Sequence, residues 1–224
     1  ADDGKTLIQP FSSIKGLGGK TVEKIINSRP YNTVEELLFN EESKLNKKSL
    51  DVLCRSGALD SLIDERFTGC KHFWMACVQD RPKTAKKLLD NIKEYAAEDD
   101  FSIEDKIEHV SSLTGIFPFN LVMTKALRES IKRYAVPSIG SWDKDLGVAW
   151  FIPREIIPKI TKNGKPYWIV KVIDDSSSST SIKCWGVRAE DEIHINRPYA
   201  AKLDYSEDWG FSTRSIRHTF KLLG

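Results

Sequence analysis

The hydrophobic period of this 224-residue chain changes at Gly147. Upstream of it, apolar residues recur at helical spacing. Downstream, short runs rich in β-branched and aromatic residues read as strands: "VAWFI" (148–152), "PYWIVKVID" (166–174), "TSIKCWGV" (180–187) and "PYAAKLD" (198–204). A helical period does not settle into a sheet, nor a strand period into a helix, so the chain has to build a helical part and then a β part. The Asn-Gly of "KNGK" (162–165) predicts a type I′ hairpin, and "DDSSSST" (174–180) a second polar connection. Regularly spaced strands with no long helix between the first three point to a small antiparallel barrel. The expected fold class is α+β and multidomain. Its expected parts are a helical region at 1–65, a helical connecting region at 66–136, a linker at 137–146 and a barrel at 147–224.

Composition excludes several function classes. Net charge is only +2, so any nucleic-acid binding has to come from local patches. No apolar run approaches the ~20 residues that span a bilayer, and no secretory signal is present. A cytoplasmic location without a membrane partner is therefore expected. The chain does not begin with Met, which fits a processed, recombinant or excised segment. Four cysteines, at 54, 70, 77 and 184, form no CxxC pair and are expected as reduced thiols. Cys70, His72 and Cys77 are near neighbours, but "CKHFWMACV" reads as a half-buried helix rather than a metal site. No paired carboxylates and no Ser-His-Asp or HxE…PCxxC pattern mark a catalytic centre. No catalytic residue, metal or cofactor is expected in this segment.

Within the helical part, "SSIKGLGGKTVEKIINSRP" (12–30) joins a glycine turn to a helix whose apolar face is Val22, Ile25 and Ile26. Pro30 ends that helix. Thr33 and Glu36 form a capping box, Asn46 is a candidate N-cap, and Gly57 suits a helix C′ position. Further helices are expected over 66–95, interrupted at Arg81-Pro82, and over 104–135, with a break at "GIFPFN". The acidic "EYAAEDDFSIEDKIEH" (94–109) reads as a linker or a solvated face.

The glycine turn carries the chemistry. Gly16 and Gly18 permit unusual backbone angles and close approach, so the turn amides can point at one phosphate beside the positive end of the next helix. Lys20 at that helix start opposes the dipole unless an anion is near. The candidate set is Lys15, Gly16, Leu17, Gly18, Gly19, Lys20 and Thr21. A Walker A loop is excluded because Lys15 stands where its first glycine would be, and no strand precedes to make a dinucleotide fold. A tight helix–helix turn that binds nothing is the other reading. Lys44, Lys47 and Lys48, ahead of the helix in "KLNKKSLDVLCRSGALDSL" (44–62), are either a second, degenerate hairpin or an ordinary solvated face.

The first turn resembles the helix-hairpin-helix motif, which binds DNA backbone without reading sequence. "IKGLGGKTVEKII", "NTVEELL" and "LNKKSLDVLCRSGALDSL" together resemble the tandem helix-hairpin-helix region of C-family replicative DNA polymerases, the polymerase III alpha subunits. "EHVSSLTGIFPF" (108–119) and "ITKNGKPYWIVKVIDD…TSIKCWGV" are similar to the segments that follow it, the latter to that family's OB-fold. The resemblance covers residues 8–65 and 147–188, and 104–122 loosely. It implies duplex primer-template and single-stranded template as partners, with the catalytic palm and its Mg-binding aspartates N-terminal to this chain. The family's internal sliding-clamp peptide would fall at "EDDFSI" (98–103), which lacks its Gln, so a clamp is a partner only if this peptide serves. A divergent, phage-encoded relative fits these departures.

In the β part, alternation puts Trp168, Val170 and Val172 with Ile182 and Cys184 on a buried face. The open face receives Tyr167, Ile169, Lys171, Lys183 and Trp185, with Lys162 and Lys165 at the hairpin tip. Rings for base stacking and ammonium groups for phosphates would make this a single-strand platform. The competing reading packs Tyr167 and Trp185 against the helical part. The function expected is a DNA-binding segment of a C-family polymerase. The alternative is an independent helix-hairpin-helix and OB-fold adaptor in repair or recombination. A helix-hairpin-helix glycosylase is disfavoured, because only Glu35 and Glu36 follow the hairpin helix, both explained by helix capping.

Overall fold

The computed structural model describes residues 9–176 and 179–223. It divides into two compact units, Ala1–Pro118 and Phe119–Gly224. Ile8, at the edge of the expected hairpin region, and Ser177 and Ser178 of the expected polar connection lie outside the described residues.

The first unit is helical. A 3-10 turn at Phe11–Ser13 leads to α1 (Gly19–Asn27), α2 (Val34–Leu38) and α3 (Lys47–Arg55). Then come α4 (Cys70–Trp74), continued as a π turn over Met75–Gln79, α5 (Ala85–Glu94) and α6 (Ile103–Thr114). Local chemistry sets these limits. Thr33 Oγ1 accepts the Glu36 amide at 3.2 Å, and Glu36 reaches back to the Asn32 amide at 2.6 Å, one residue earlier than the usual reciprocal bond. Asn46 Oδ1 accepts the Ser49 amide at 2.8 Å. Gly57, at φ +79°, closes α3, and the Ala58 amide reaches back to Leu53 O at 3.0 Å.

Val34, Leu37, Leu50, Leu53, Phe73 and Leu88 form the core of this unit. Burying each such side chain contributes about 1.5–3 kcal/mol. Val22 and Ile25 join that core, but Ile26 does not: it is 49% exposed, because the stripe α1 buries is narrower than the apolar pattern. His72 is buried, with Nε2 at 2.8 Å from Ile92 O and Nδ1 accepting the Thr68 amide at 3.0 Å. Both ring nitrogens thus serve the core, and burial pushes the neighbouring Cys77 thiol upward. Arg66 donates to Glu35 at 2.7 Å and Asp64 at 2.7 Å, fixing α2 to the following loop and holding both carboxyls below their usual range.

The second unit opens with α7 (Phe119–Val122) and α8 (Lys125–Arg133) and a 3-10 turn at Ile139–Ser141. Its strands are β1 (Val148–Ile160), β2 (Pro166–Ile173), β3 (Ser179–Trp185), β4 (Tyr199–Lys202), β5 (Asp204–Ser206) and β6 (Gly210–Arg214). A short α9 (Ile216–Thr219) and β7 (Phe220–Leu222) complete it. The spatial order is β5-β6-β3-β2-β1-β4-β7. The first half of β1 pairs with β4 and the second with β2, the register shifting between Pro153 and Glu155. Such a shift bends a strand, which lets β1 serve both sides of a curled sheet. Only Leu203 separates β4 from β5, and its amide bonds Gly147 O at 2.8 Å, so the chain itself joins one end of the curl, β5, to the strand next to the other end. The result is an OB-like half-barrel. Its pairings are antiparallel except β3 with β6, which is parallel. The 162–165 hairpin departs from the expected type I′ turn. Gly164 takes φ +75° but Asn163 stays at negative φ, and the Gly164 amide bonds Thr161 O at 3.0 Å. That is a type I turn followed by a glycine bulge, which also matches strand twist.

Candidate nucleic-acid interface

The turn before α1 is built in two parts. Ile14 and Leu17 are buried and pin it to the core. The Lys15 amide donates to Leu113 O at 2.9 Å, so the end of α6 braces it from behind. Lys15, Gly16, Gly18, Gly19 and Lys20 are exposed. Leu17 therefore belongs to the interface only through its backbone.

The glycines have different reasons for being there. Gly16 sits at φ +88°, and a Cβ there would lie 3.4 Å from Val52 Cγ2, so the fold requires it. Gly18, the N-cap of α1, has φ −75° and ψ 148°, angles any residue adopts. A Cβ at Gly18 or Gly19 would meet nothing within 4 Å. Neither conformation nor internal space explains these two. Lacking a side chain, Gly18 caps no amide, and the Gly18, Gly19 and Lys20 amides have no acceptor among the described residues. The first turn of α1 carries no acidic residue. Three amides, the positive end of a nine-residue helix and two exposed lysines thus face open space.

The second turn, between α2 and α3, is different. Asn40 Oδ1 accepts the Glu42 and Ser43 amides at 2.9 and 2.7 Å, and Asn46 caps α3. The Glu42, Ser43, Lys44 and Ser49 amides are spent internally, while those of Lys47 and Lys48 have no acceptor among the described residues. Lys44 is held at φ +40° and pairs with Glu41 at 3.2 Å, while Lys47 Nζ donates to Gln79 O at 2.8 Å. Lys48 is exposed. What sets it apart is that a side chain, Asn46, already caps the helix, where Gly18 leaves α1 uncapped.

On the sheet, the alternation holds: Val170, Val172, Ile182 and Cys184 are buried and Trp168 packs on their cluster. Register places Lys159, Tyr167 and Trp185 side by side, and likewise Ile157, Ile169 and Lys183, and Glu155, Lys171 and Ser181. The Tyr167 and Trp185 rings stack at 4.7 Å and 26°. Lys171 is tied to Glu155 at 2.7 Å, which offsets its charge. Sequence reasoning missed Trp209, 63% exposed in the β5–β6 turn; Lys183 Nζ lies 4.7 Å from its ring centre and donates to its carbonyl at 3.0 Å. It also missed Arg214, which the parallel pairing sets beside Trp185. The signal for Trp209 was an aromatic in a polar turn; nothing local marks Arg214. Lys162 and Lys165 are exposed at the hairpin tip.

In the candidate clamp segment, 98–103, Phe101 is half-buried and the other residues are exposed. Phe101 packs edge-on against Trp74 and His109, at 6.0 and 5.0 Å between ring centres. Asp100 accepts the Lys71 amide at 2.9 Å. No helix among the described residues is long and apolar enough to cross a membrane.

Residues 1–68 match the family model described as "Helix-hairpin-helix motif". Two curated relatives, the DNA polymerase III subunit alpha of Helicobacter pylori strains 26695 and J99, are each 26% identical over 231 residues. The alignment covers 91% of this chain, and the chain spans 19% of the length of those relatives. Among solved structures, the crystal structure of the p204 HINb domain is 18% identical, covers 45% of this chain and 52% of its own, and has a TM-score of 0.29.

Proposed function

This chain is related to a segment of the DNA polymerase III alpha subunit and carries a helix-hairpin-helix motif, and from that premise we propose that it holds DNA for a replicative polymerase. The turn before α1 grips a duplex phosphate, and the open sheet face takes single-stranded template. Nucleotide transfer belongs to other parts of such a polymerase. The single observation carrying the duplex reading is that Gly18 and Gly19 have no structural need to be glycine, while the amides they expose have no acceptor among the described residues. Absent side chains let a phosphate oxygen approach amides on the positive end of a helix. Such contacts position DNA without reading bases, so binding is sequence-tolerant and salt-sensitive.

Gly18→Asp tests this directly. Aspartate is among the best N-cap residues, so thermal stability stays level or rises. Its carboxylate would occupy the amides and repel phosphate, so duplex affinity falls about tenfold or more; unchanged affinity in a fluorescence-anisotropy titration sinks the hairpin reading. For the sheet face, the Tyr167–Trp185 stack offers an outer ring surface to a base. Stacking is worth ~1–3 kcal/mol per base, so Trp185→Ala is expected to weaken oligo-dT binding roughly 5- to 100-fold while duplex binding barely moves. Equal loss on both DNA forms removes the platform.

A further inference from the structure

The second turn leaves an imbalance. It presents lysines around a helix end that Asn46 already caps, whereas the neighbouring chain supplies something the motif does not include. Lys47 Nζ, bonded to Gln79 O, draws the connection after the π turn against this turn. Between them runs a groove of about 610 Å³ lined by Asn40, Glu41, Lys44, Arg81 and Lys83, among others. Its far wall continues into α5, where Thr84 caps the helix and the first turn holds no acid but Lys86 and Lys87. Arg81, Lys83 and Lys86 have no carboxylate partner among the described residues; of the acids nearby, Glu41 is engaged by Lys44 and Asp80 by Lys87. Seven cations thus gather here, on residues 44–48 and 81–87, in a chain whose net charge is +2.

We infer that this groove is a second contact for duplex DNA backbone, made by Arg81 and Lys83, which line it, and by Lys86 on the helix turn that follows. The inference rests on the duplex reading above and extends it to a segment outside the matched motif. The two contacts differ in kind. The first turn works through amides and a helix end, so it sets position. The groove works through mobile charges that displace counterions, so it sets salt dependence. A phosphate in the groove would meet a guanidinium able to bind two oxygens and ammonium groups as point charges.

The test is duplex binding by the full chain, on a random-sequence duplex, across a salt series. Arg81→Gln, Lys83→Gln and Lys86→Gln are combined; Lys83 and Lys86 are exposed, Arg81 is half-buried, and glutamine keeps helix propensity at Lys86, so the melting temperature is measured alongside. Each lost contact flattens the slope of log K against log salt by about 0.9, so the triple variant is expected to flatten it by roughly 2 to 3. At 0.1 M salt, affinity falls on the order of tenfold per contact. Lys83→Arg with Lys86→Arg keeps the charge and keeps the wild-type slope. An unchanged slope in the triple Gln variant overturns the groove contact; if Gly18→Asp still weakens binding, the hairpin reading survives it. A flattened slope with Gly18→Asp inert upholds the groove and removes the hairpin. A wild-type chain with no salt-dependent duplex binding overturns both.

Discussion

Valine at Gly16 is expected to lower the stability of the helical unit by roughly 2–3 kcal/mol and to reduce duplex affinity by more than tenfold. Gly16 lies at φ +88°, where a β-branched side chain is most strained. Its Cβ would also press on Val52 Cγ2 at 3.4 Å, and Val52 is buried. To relieve both, the chain has to leave the left-handed region, which swings the Gly18–Lys20 amides away from a shared target. Asparagine tolerates that region and is expected to recover much of the loss. Differential scanning calorimetry and duplex titration of both variants check this. Gly16→Val with wild-type melting and affinity would show that the turn is not held as described. The contrast with Gly18→Asp is the useful part: Gly16 serves the fold, Gly18 on the proposed reading serves the ligand, and the two variants should separate stability from binding.

Asp174→Ala is expected to cost the barrel unit about 3 kcal/mol. Asp174 is buried at the end of β2, and its carboxylate accepts the Gly140 amide at 2.7 Å, the Ser176 amide at 3.0 Å and the Ser176 hydroxyl at 2.5 Å. Hydrogen bonds to a charged acceptor contribute ~1.5–3 kcal/mol each, and alanine would leave the Gly140 amide orphaned. The bond to Gly140 ties the 3-10 turn at Ile139–Ser141 onto the barrel, placing Trp142 against Tyr205 and Phe211 at 5.9 and 5.5 Å. Burial pushes this carboxyl upward, but the bonds from Ser176, Gly140 and Ser138 outweigh it and hold it below its usual value. A depressed folded value means the stabilisation is complete above the unfolded pKa of about 3.9 and is lost as pH falls through the lower folded value. Urea unfolding at pH 7 and pH 3, followed by hydrogen exchange of the barrel amides, checks both points. A barrel equally stable in the variant at pH 7, or an unaltered acid slope, would refute the role.

Much of this was readable from residues. Caps at Thr33, Asn46 and Gly57 announced helix ends because their chemistry is local. The period-2 runs announced β1 to β4, and alternation assigned both faces of β2 and β3, since a strand's pleat fixes its sides. What was hidden is non-local. The β3–β6 pairing joins Lys183 to Ser212 and brings Arg214 beside Trp185, and no local pattern encodes a parallel partner. The Glu155–Lys171 pair depends on the register of β1, including its bulge. Arg81-Pro82 looked like a helix break, which it is; the bond from Lys47 to Gln79 O, far off in sequence, ties that connection to the second turn. The Asn163-Gly164 turn kept its hairpin and changed its type, because one left-handed glycine with a bulge meets the twist as well as two left-handed residues.

The short step between β4 and β5 has a consequence for how the chain acquires its shape. The curl is complete only when residues 199–206 lie along β1 on one side and β6 on the other, and β6 in turn needs β3. The β1–β4 and β3–β6 pairings span long stretches of chain, only the β5–β6 hairpin being local, and loop closure has to precede their reward. The helical unit, by contrast, draws its caps and many of its contacts from nearby residues. During synthesis the first unit can therefore finish while the barrel is still open. Until β6 emerges, the free edges of β1 and β3 are the part of the nascent chain most exposed to mispairing.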